Sequence, residues 1–213
     1  LDVIRDRGLT LPAGLLTTDA KQILADPSID IVVELIGGCD VAKRITLEAI
    51  TAGKHVVTAN KALLALHGEE IFAAASDKGV DLGFEASVGG GIPVIQALRE
   101  GLAANTIQSI YGIINGTANY ILSRMTHDGQ SFETVLDEAK QAGFAEADPT
   151  FDVAGIESQH KLAILVALAY GKPVNVTRVY PQGIRPITPL GLAYAKSFVS
   201  HDQRRVTSEL ERS

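Results

Sequence analysis

The chain has 213 residues, of which 46% are hydrophobic and 21% are charged, and its formal net charge is −6 at pH 7. This composition is typical of a globular protein with one or two domains and argues against a largely disordered chain. The negative charge and the lack of a basic cluster argue against nucleic-acid and anionic-membrane partners, because both need a positive surface. The longest apolar run, residues 162–170, is well short of the roughly 20 residues that span a bilayer.

Cys39 is the only cysteine, which excludes an intrachain disulfide and a thiolate metal cluster and suits a reducing compartment. No signal peptide opens the chain, so we expect a cytoplasmic protein. Because Leu1 is not an initiator methionine, we expect a fragment or a processed product.

Strands and helices are predicted to alternate in the first part of the chain. The β-branched and apolar runs that indicate strands cover residues 29–36, 55–59 and 80–88, with helices predicted over 41–52 and in two segments that end at residue 78. This alternation predicts right-handed crossovers and a parallel sheet that is buried on both faces. In the third strand, Glu85 should point away from the core.

Four residues follow the first two predicted strands directly: Gly37, Gly38, Asn60 and Lys61. Ligands of such sheets bind outside the carboxyl ends of the strands, so we expect a cofactor crevice here. A tight turn without a ligand is the alternative for the two glycines. For Lys61 the alternative is an ordinary residue at the start of a helix.

A second glycine cluster, Gly89 to Gly91, precedes Ile92 and Pro93, which suit the start of a helix running to about residue 103. Such a loop exposes carbonyl oxygens, and together with one carboxylate it could hold a monovalent cation. A flexible turn is the alternative.

The remainder is predicted to be an α+β layer. Strands are expected over residues 107–114 and 174–184, and helices over 118–127, 131–142 and from about 155 to 170. Asn115 and Gly116 mark a loop between them, where Thr117 could be a routine N-cap. Residues 199–213 form a polar tail.

Carboxylates and a lysine gather just before and within the last of these helices. Gly143 should end the preceding helix in the left-handed conformation, and Pro149 should keep Glu146, Asp148 and Asp152 on a loop. Glu157 and Lys161 are four residues apart, so they share a helix face with Ile164, Leu165 and Leu168. An exposed ion pair worth about 0.3–0.5 kcal/mol is one interpretation. A partly desolvated lysine that carries protons is the other.

Five stretches of this sequence, taken in order, resemble the homoserine dehydrogenase family. They are VVELIGG, GKHVVTANKALLA, FEASVGGGIP, INGTANYIL and GFAEADPT, the last followed by D-V-x-G and, six residues after that glycine, by Lys161. Together they span nearly everything from about residue 31 to residue 195. The family usually has an aspartate where Glu157 stands, which changes the reach of that carboxylate by one methylene.

The resemblance implies an α/β enzyme with a partial Rossmann-like parallel sheet in residues 1–82 and an α+β catalytic, substrate and dimerisation domain in residues 83–198. Its reaction would be the NAD(P)-dependent interconversion of L-homoserine and L-aspartate 4-semialdehyde, in threonine and methionine biosynthesis, by a homodimer. The implied cofactor residues are Gly37, Gly38, Asn60 and Lys61, and the implied monovalent-cation residues are Glu85, Val88, Gly90 and Ile92.

For catalysis, Lys161 would be the acid/base group, Glu157 would orient it, and Lys61 would polarise the substrate oxygen or relay the proton. Glu146 would bind the substrate ammonium group. Asp152 and Thr117 are further substrate-binding residues.

Two other readings stay open. A truncated, inert or oligomerising fragment of the same fold is one, because no G-x-G-x-x-G opens the predicted sheet. We therefore expect the family's first strand and phosphate turn to lie upstream of Leu1, and this chain to bind NADP weakly. The other is a semialdehyde dehydrogenase with Cys39 as nucleophile.

Overall fold

The computed structural model describes residue 8, residues 10–12 and residues 14–198. The chain divides into two compact units, Leu1–Ser87 and Val88–Ser213. The predicted polar tail, residues 199–213, lies outside the described residues.

The first unit contains a three-stranded parallel sheet in the order β1-β2-β3. This confirms the predicted alternation of strands and helices. Its elements are α1 (Ala20–Ala25), β1 (Ile31–Glu34), α2 (Asp40–Thr51), β2 (His55–Thr58), α3 (Lys61–Lys78) and β3 (Leu82–Gly83).

Helix α3 is one continuous helix of 18 residues, so the prediction of two helical segments is wrong. The side chain of Asn60 caps it by accepting a hydrogen bond from the Leu63 N–H, and Gly79 ends it in the left-handed conformation. Helix α2 packs against α3, β1 and β2. The buried side chains at these contacts form the core of the unit: Ala42, Ala49, Ile50, Val56, Leu63, Leu64 and Ile71.

The other face of the sheet is exposed, contrary to the prediction of burial on both faces. Ile31, Val33 and Val57 project from this face, because alternate residues of a strand point the same way and Val33 is paired with Val57. All three side chains are exposed. Within the described residues, the helices of this unit therefore cover the sheet from one side.

The third strand is much shorter than the predicted range of residues 80–88. Strand β3 ends at Gly83, and a 3-10 turn follows at Glu85–Ser87. The Ser87 hydroxyl donates to the Phe84 carbonyl at 2.6 Å, which folds Ser87 inward and leaves Ala86 exposed. A turn replaces the extended chain here, so the alternation of inward and outward side chains that is expected in a strand over residues 80–88 ends at Phe84.

The described part of the second unit is built from helices. They are α4 (Val94–Gln96) with a π-helical continuation (Ala97–Gly101), α5 (Gly116–Asp128), α6 (Phe132–Gln141), α7 (Thr150–Val153), α8 (Ile156–Tyr170) and α9 (Pro189–Phe198), with a 3-10 turn at Val176–Arg178. Their shared core contains Ile121, Met125, Phe132, Val135, Leu136, Ala139, Ala145, Val153 and Ile184.

The strands predicted over residues 107–114 and 174–184 are not formed, and both predictions are wrong. Side chains of α8 bind some of the carbonyl groups in these segments. Lys161 donates to the Ile114 carbonyl, and Gln159 donates to those of Val176 and Val179. Both segments are therefore held against α8 and not in a ladder.

The helices of this unit follow their sequence signals closely. The hydroxyl of Ser131 caps α6 by accepting from the Thr134 N–H, and Gly143 is left-handed just after that helix, both as predicted. The apolar run at residues 162–170 is buried from Leu162 to Val166, whereas Tyr170 at its end is exposed. In both units, no helix within the described residues is long and apolar enough to cross a bilayer.

Two glycines allow the chain to cross itself beside α7. A Cβ on Gly155 would lie 2.9 Å from the Gln182 carbonyl oxygen, and a Cβ on Gly183 would lie 2.9 Å from that of Val153. At the same crossing, the Ile184 N–H donates to the Val153 carbonyl at 2.9 Å. The start of α8 is thus fixed by a contact between backbones.

Candidate functional site

A cavity of about 610 Å³ lies in the second unit, and four of the predicted site residues line it. Thr117 comes from the first turn of α5, Asp152 from α7, and Glu157 and Lys161 from the first turns of α8. The wall between them is formed by Gly143 and Phe144, together with polar residues of α5.

Lys161 is partly buried, with 17% of its side chain exposed. Its Nζ donates to the Ile114 carbonyl oxygen at 2.8 Å, whereas the nearer carboxylate oxygen of Glu157 is 3.7 Å away. The second distance is too long for a hydrogen bond, so the carbonyl is the firmer anchor of the amine. Glu157, 27% exposed, supplies a nearby negative charge.

Asp152 lies in α7, so the prediction that it sits on a loop is wrong. The short helix starts at Thr150, with Pro149 at the N-cap position. One oxygen of Asp152 accepts a hydrogen bond of 2.7 Å from Nδ2 of Asn115. This bond joins α7 to the residue that precedes α5.

Asn115 is a site residue that the sequence analysis treated only as a loop marker. It is 6% exposed, and its Oδ1 caps α5 by accepting from the Ala118 N–H at 2.7 Å. Its amide thus caps a helix and holds Asp152 at the same time. An asparagine directly before a helical pattern is a recognised capping signal, but its second partner is 37 residues away in the sequence.

Thr117 is not the N-cap of α5, because Asn115 has that position. Instead, its hydroxyl donates to the Phe144 carbonyl at 2.9 Å. The rings of Tyr120 and Phe144 stack with their centroids 4.7 Å apart. The cavity wall around Phe144 is therefore fixed to α5 from two directions.

Glu146 and Asp148 lie on the loop before α7, as predicted, but neither lines the cavity. Glu146 is exposed. Asp148 accepts hydrogen bonds from the hydroxyl and the backbone N–H of Thr150, and these bonds lower the pKa of its carboxyl group. The structure thus brings Asp152, but not Glu146, to Lys161.

In the first unit, three of the predicted cofactor residues lie together at the carboxyl ends of β1 and β2. Gly37 and Gly38 have positive φ angles in the turn after β1. Nδ2 of Asn60, the cap of α3, donates to the Gly38 carbonyl at 2.6 Å. Lys61 follows as the first residue of α3 and is half-buried.

The residues predicted to bind a monovalent cation fall in different units. Glu85 belongs to the 3-10 turn that ends the first unit. Val88, Gly90 and Ile92 belong to the second, where Val88 is buried and Ile92 is exposed.

Cys39 lies directly before α2 in the first unit. Burial raises the pKa of its thiol, and the neighbouring carboxylate of Asp40 adds to the effect. A raised pKa leaves little thiolate near neutral pH, which is unfavourable for a nucleophile.

The parallel sheet with its strand-end turns, followed by a helical unit whose cavity holds a lysine and two carboxylates, defines an α/β protein of two units. The model of the homoserine dehydrogenase family matches residues 93–206, and that of the homoserine dehydrogenase NAD-binding domain matches residues 4–85. The chain belongs to the homoserine dehydrogenase family, as the resemblance in its motifs predicts.

Curated proteins that are similar to this chain are named homoserine dehydrogenases as well. The homoserine dehydrogenase of Pseudomonas aeruginosa is 55% identical over 180 residues, which cover 84% of this chain and 42% of that protein. The enzyme of the same name from Synechocystis is 50% identical over 191 residues, or 90% of this chain and 44% of that protein. The chain thus spans less than half the length of these relatives.

Solved structures are similar as well. A homoserine dehydrogenase from Thiobacillus denitrificans has a TM-score of 0.83 and 55% identity, covering 85% of this chain and 42% of that one. A hyperthermophilic archaeal homoserine dehydrogenase in complex with NADPH has a TM-score of 0.72 and 28% identity, covering 81% of this chain and 53% of that one.

Proposed function

We propose that this chain provides the site of an NAD(P)-dependent homoserine dehydrogenase, which interconverts L-homoserine and L-aspartate 4-semialdehyde in threonine and methionine biosynthesis. The observation that carries this proposal is the convergence of Lys161, Glu157, Asp152 and Thr117 on one cavity. Oxidation of an alcohol needs a group that accepts the hydroxyl proton, and a half-buried amine beside carboxylates suits that role.

In this proposal, Lys161 exchanges the proton of the substrate hydroxyl. The Ile114 carbonyl fixes the position of its Nζ, and Glu157 supplies a negative charge nearby. Lys61 polarises the substrate oxygen or relays the proton. Asp152, held by Asn115, and Thr117 position the substrate. The family resemblance assigns the substrate ammonium group to Glu146, which lies on the exposed loop before α7 and does not line the cavity.

Bound NADP or NAD would supply the hydride acceptor for the C4 carbon of homoserine. The residues that would hold its nicotinamide end are Gly37, Gly38, Asn60 and Lys61, of which Asn60 and Gly38 are already in contact. Glu85, Val88, Gly90 and Ile92 would bind a monovalent cation. A cytoplasmic homodimer is the proposed form of the enzyme.

The test is NADP reduction by the purified chain, followed by absorbance with L-homoserine as substrate. Turnover that depends on homoserine supports the proposal, with the same amount of D-homoserine as the matched control. A folded chain without turnover would support the alternative, an inert or oligomerising fragment. This alternative is motivated by length, because the chain spans 42–45% of the curated relatives.

A further inference from the structure

Glu34 is a buried carboxylate that the proposed reaction does not use. It is the last residue of β1 and is 2% exposed. Its register partner is Thr58, the last residue of β2, whose side chain is also buried. A carboxylate at such a place is costly unless its oxygen atoms are satisfied by donors.

Both oxygen atoms of Glu34 have a donor. The Thr58 hydroxyl donates to Oε2 at 2.6 Å, and the Ile36 N–H donates to Oε1 at 2.7 Å. Distances this short are typical of hydrogen bonds to a charged acceptor, which are the stronger kind. One bond reaches across the sheet to β2, and the other holds the turn after β1.

The network continues from Thr58 to the predicted cofactor residues. Oγ1 of Thr58 accepts from the Asn60 N–H at 3.0 Å, and the side chain of Asn60 returns to the Gly38 carbonyl. Gly38 belongs to the same turn that Glu34 holds through Ile36. The hydrogen bonds therefore form a ring that joins the carboxyl ends of both strands.

We propose that Glu34 is a positioning residue for the dinucleotide, which acts by holding Asn60 and the Gly37–Gly38 turn in register at the edge of the sheet. This inference rests on the proposed cofactor site. The role requires a carboxylate, since two donors converge on it. A glutamine of the same shape offers one acceptor oxygen and one NH₂ group. If its oxygen keeps the Ile36 N–H, its NH₂ group faces the Thr58 hydroxyl, which must then turn to accept and gives up the bond that it now donates.

The experiment is an NMR titration of the ¹⁵N-labelled 213-residue chain with NADP⁺, a method that measures weak as well as tight binding. Glu34→Gln should weaken NADP⁺ binding by about tenfold, the effect of one lost charge-assisted hydrogen bond. In the absence of NADP⁺, the amide resonances of Ile36 and Asn60 should shift in the same variant. If the carboxylate had only a structural role, Glu34→Gln would shift these resonances without weakening NADP⁺ binding.

Variants of Thr58 provide an independent arm if Glu34→Gln fails to fold. Thr58→Ser keeps the hydroxyl donor and should bind NADP⁺ like the parent, whereas Thr58→Val keeps the shape, loses the donor and should resemble Glu34→Gln. The matched control is Thr46→Val. Thr46 is buried in the same unit, and its hydroxyl has no hydrogen-bond partner among the described residues, so binding should not change.

Binding that differs from the parent by no more than about twofold in both Glu34→Gln and Thr58→Val would overturn the inference. A parent chain whose resonances do not respond to NADP⁺ would refute the proposed cofactor site and this inference with it. The two failures are distinguishable, because the first appears only in the variants and the second in the parent.

Discussion

At the scale of single residues, the position of Lys161 depends more on a backbone carbonyl than on its ion pair with Glu157. The bond to the Ile114 carbonyl is 2.8 Å long, against 3.7 Å to the Glu157 carboxylate. Glu157 is one methylene longer than the aspartate usual in the family. This difference changes the position of a nearby negative charge but not the hydrogen bond between Lys161 and the Ile114 carbonyl. Removing the amine should remove the proton exchange without removing the fold.

We expect Lys161→Ala to lower homoserine-dependent turnover by roughly 10²–10⁴, the usual contribution of a positioned acid/base group. The measurement is the rate of NADP reduction, with circular dichroism to verify folding. Lys172→Ala, a change to an exposed lysine just after α8, is the matched control and should leave the rate unchanged. Turnover of the Lys161 variant within about threefold of the parent would exclude it from the mechanism.

Asn115 allows a test of the cavity's geometry. Asn115→Asp keeps the cap of α5 but places a carboxylate oxygen against Asp152, where the amide now donates at 2.7 Å. It should lower the free energy of unfolding by about 1–3 kcal/mol, measured in urea. Asn115→Ser also keeps a capping side chain, and its shorter side chain loses the bond to Asp152 without placing a second carboxylate there, so it should cost less. Equal unfolding midpoints for the two variants would contradict the close approach of residues 115 and 152.

The capping role of Asn115 could be predicted from its place before a helical pattern, and the helical face of Lys161 from four-residue spacing. The partners of both could not. Ile114 is 47 residues from Lys161, and Asp152 is 37 residues from Asn115, so only the packing of α5, α7 and α8 brings them together. In the sequence, Glu34 stands within a largely apolar run. Its donor Ile36 is only two residues away, but Thr58 becomes its second partner only through the register of β1 with β2.

At the scale of elements, the crossing at Gly155 and Gly183 sets where α8 begins, and α8 carries Lys161. Neither glycine can gain a Cβ without meeting a carbonyl oxygen at 2.9 Å. The contacted atoms belong to the backbone, so they cannot move away by a change of side-chain rotamer. The crossing therefore constrains both sequence positions independently of any ligand.

Gly183→Ala should lower the free energy of unfolding by about 1–3 kcal/mol, the usual cost of overpacking a tight contact. Chemical denaturation of the purified variant measures it. Gly101→Ala is the control, since a Cβ at Gly101 meets nothing within 4 Å. A Gly183 variant as stable as this control would show that the two chain segments do not touch.

Helices α2, α5, α6 and α8 were predicted close to their observed bounds, whereas α1, α7 and α9 were not predicted. The strands at 107–114 and 174–184 were predicted wrongly, for a physical reason. Caps such as Ser131 and Asn60 and left-handed glycines such as Gly143 act within a few residues, so the sequence displays them. A strand needs a partner, and the segments at 107–114 and 174–184 bind Lys161 and Gln159 instead. Apolar alternation alone does not distinguish these outcomes.

At the scale of the whole molecule, the sequence lacks a G-x-G-x-x-G turn, the usual donor of backbone N–H groups to a pyrophosphate. We therefore expect NADP to bind this chain with a dissociation constant weaker than about 10 μM, the equivalent of about −7 kcal/mol. Calorimetric titration measures it, with NMR for weaker binding. A tighter constant would mean that the chain supplies a phosphate site by other residues.

One face of the parallel sheet is left exposed by the described helices, and this face should make the chain prone to self-association. Ile31, Val33 and Val57 present an apolar stripe to water, and such stripes adhere more strongly in sulfate salts and less strongly in the cold. Analytical ultracentrifugation of this chain would therefore detect association through the exposed sheet face as well as any homodimer. Val33→Lys places a charge in the middle of the stripe, so it should weaken association through this face and leave association through other surfaces unchanged.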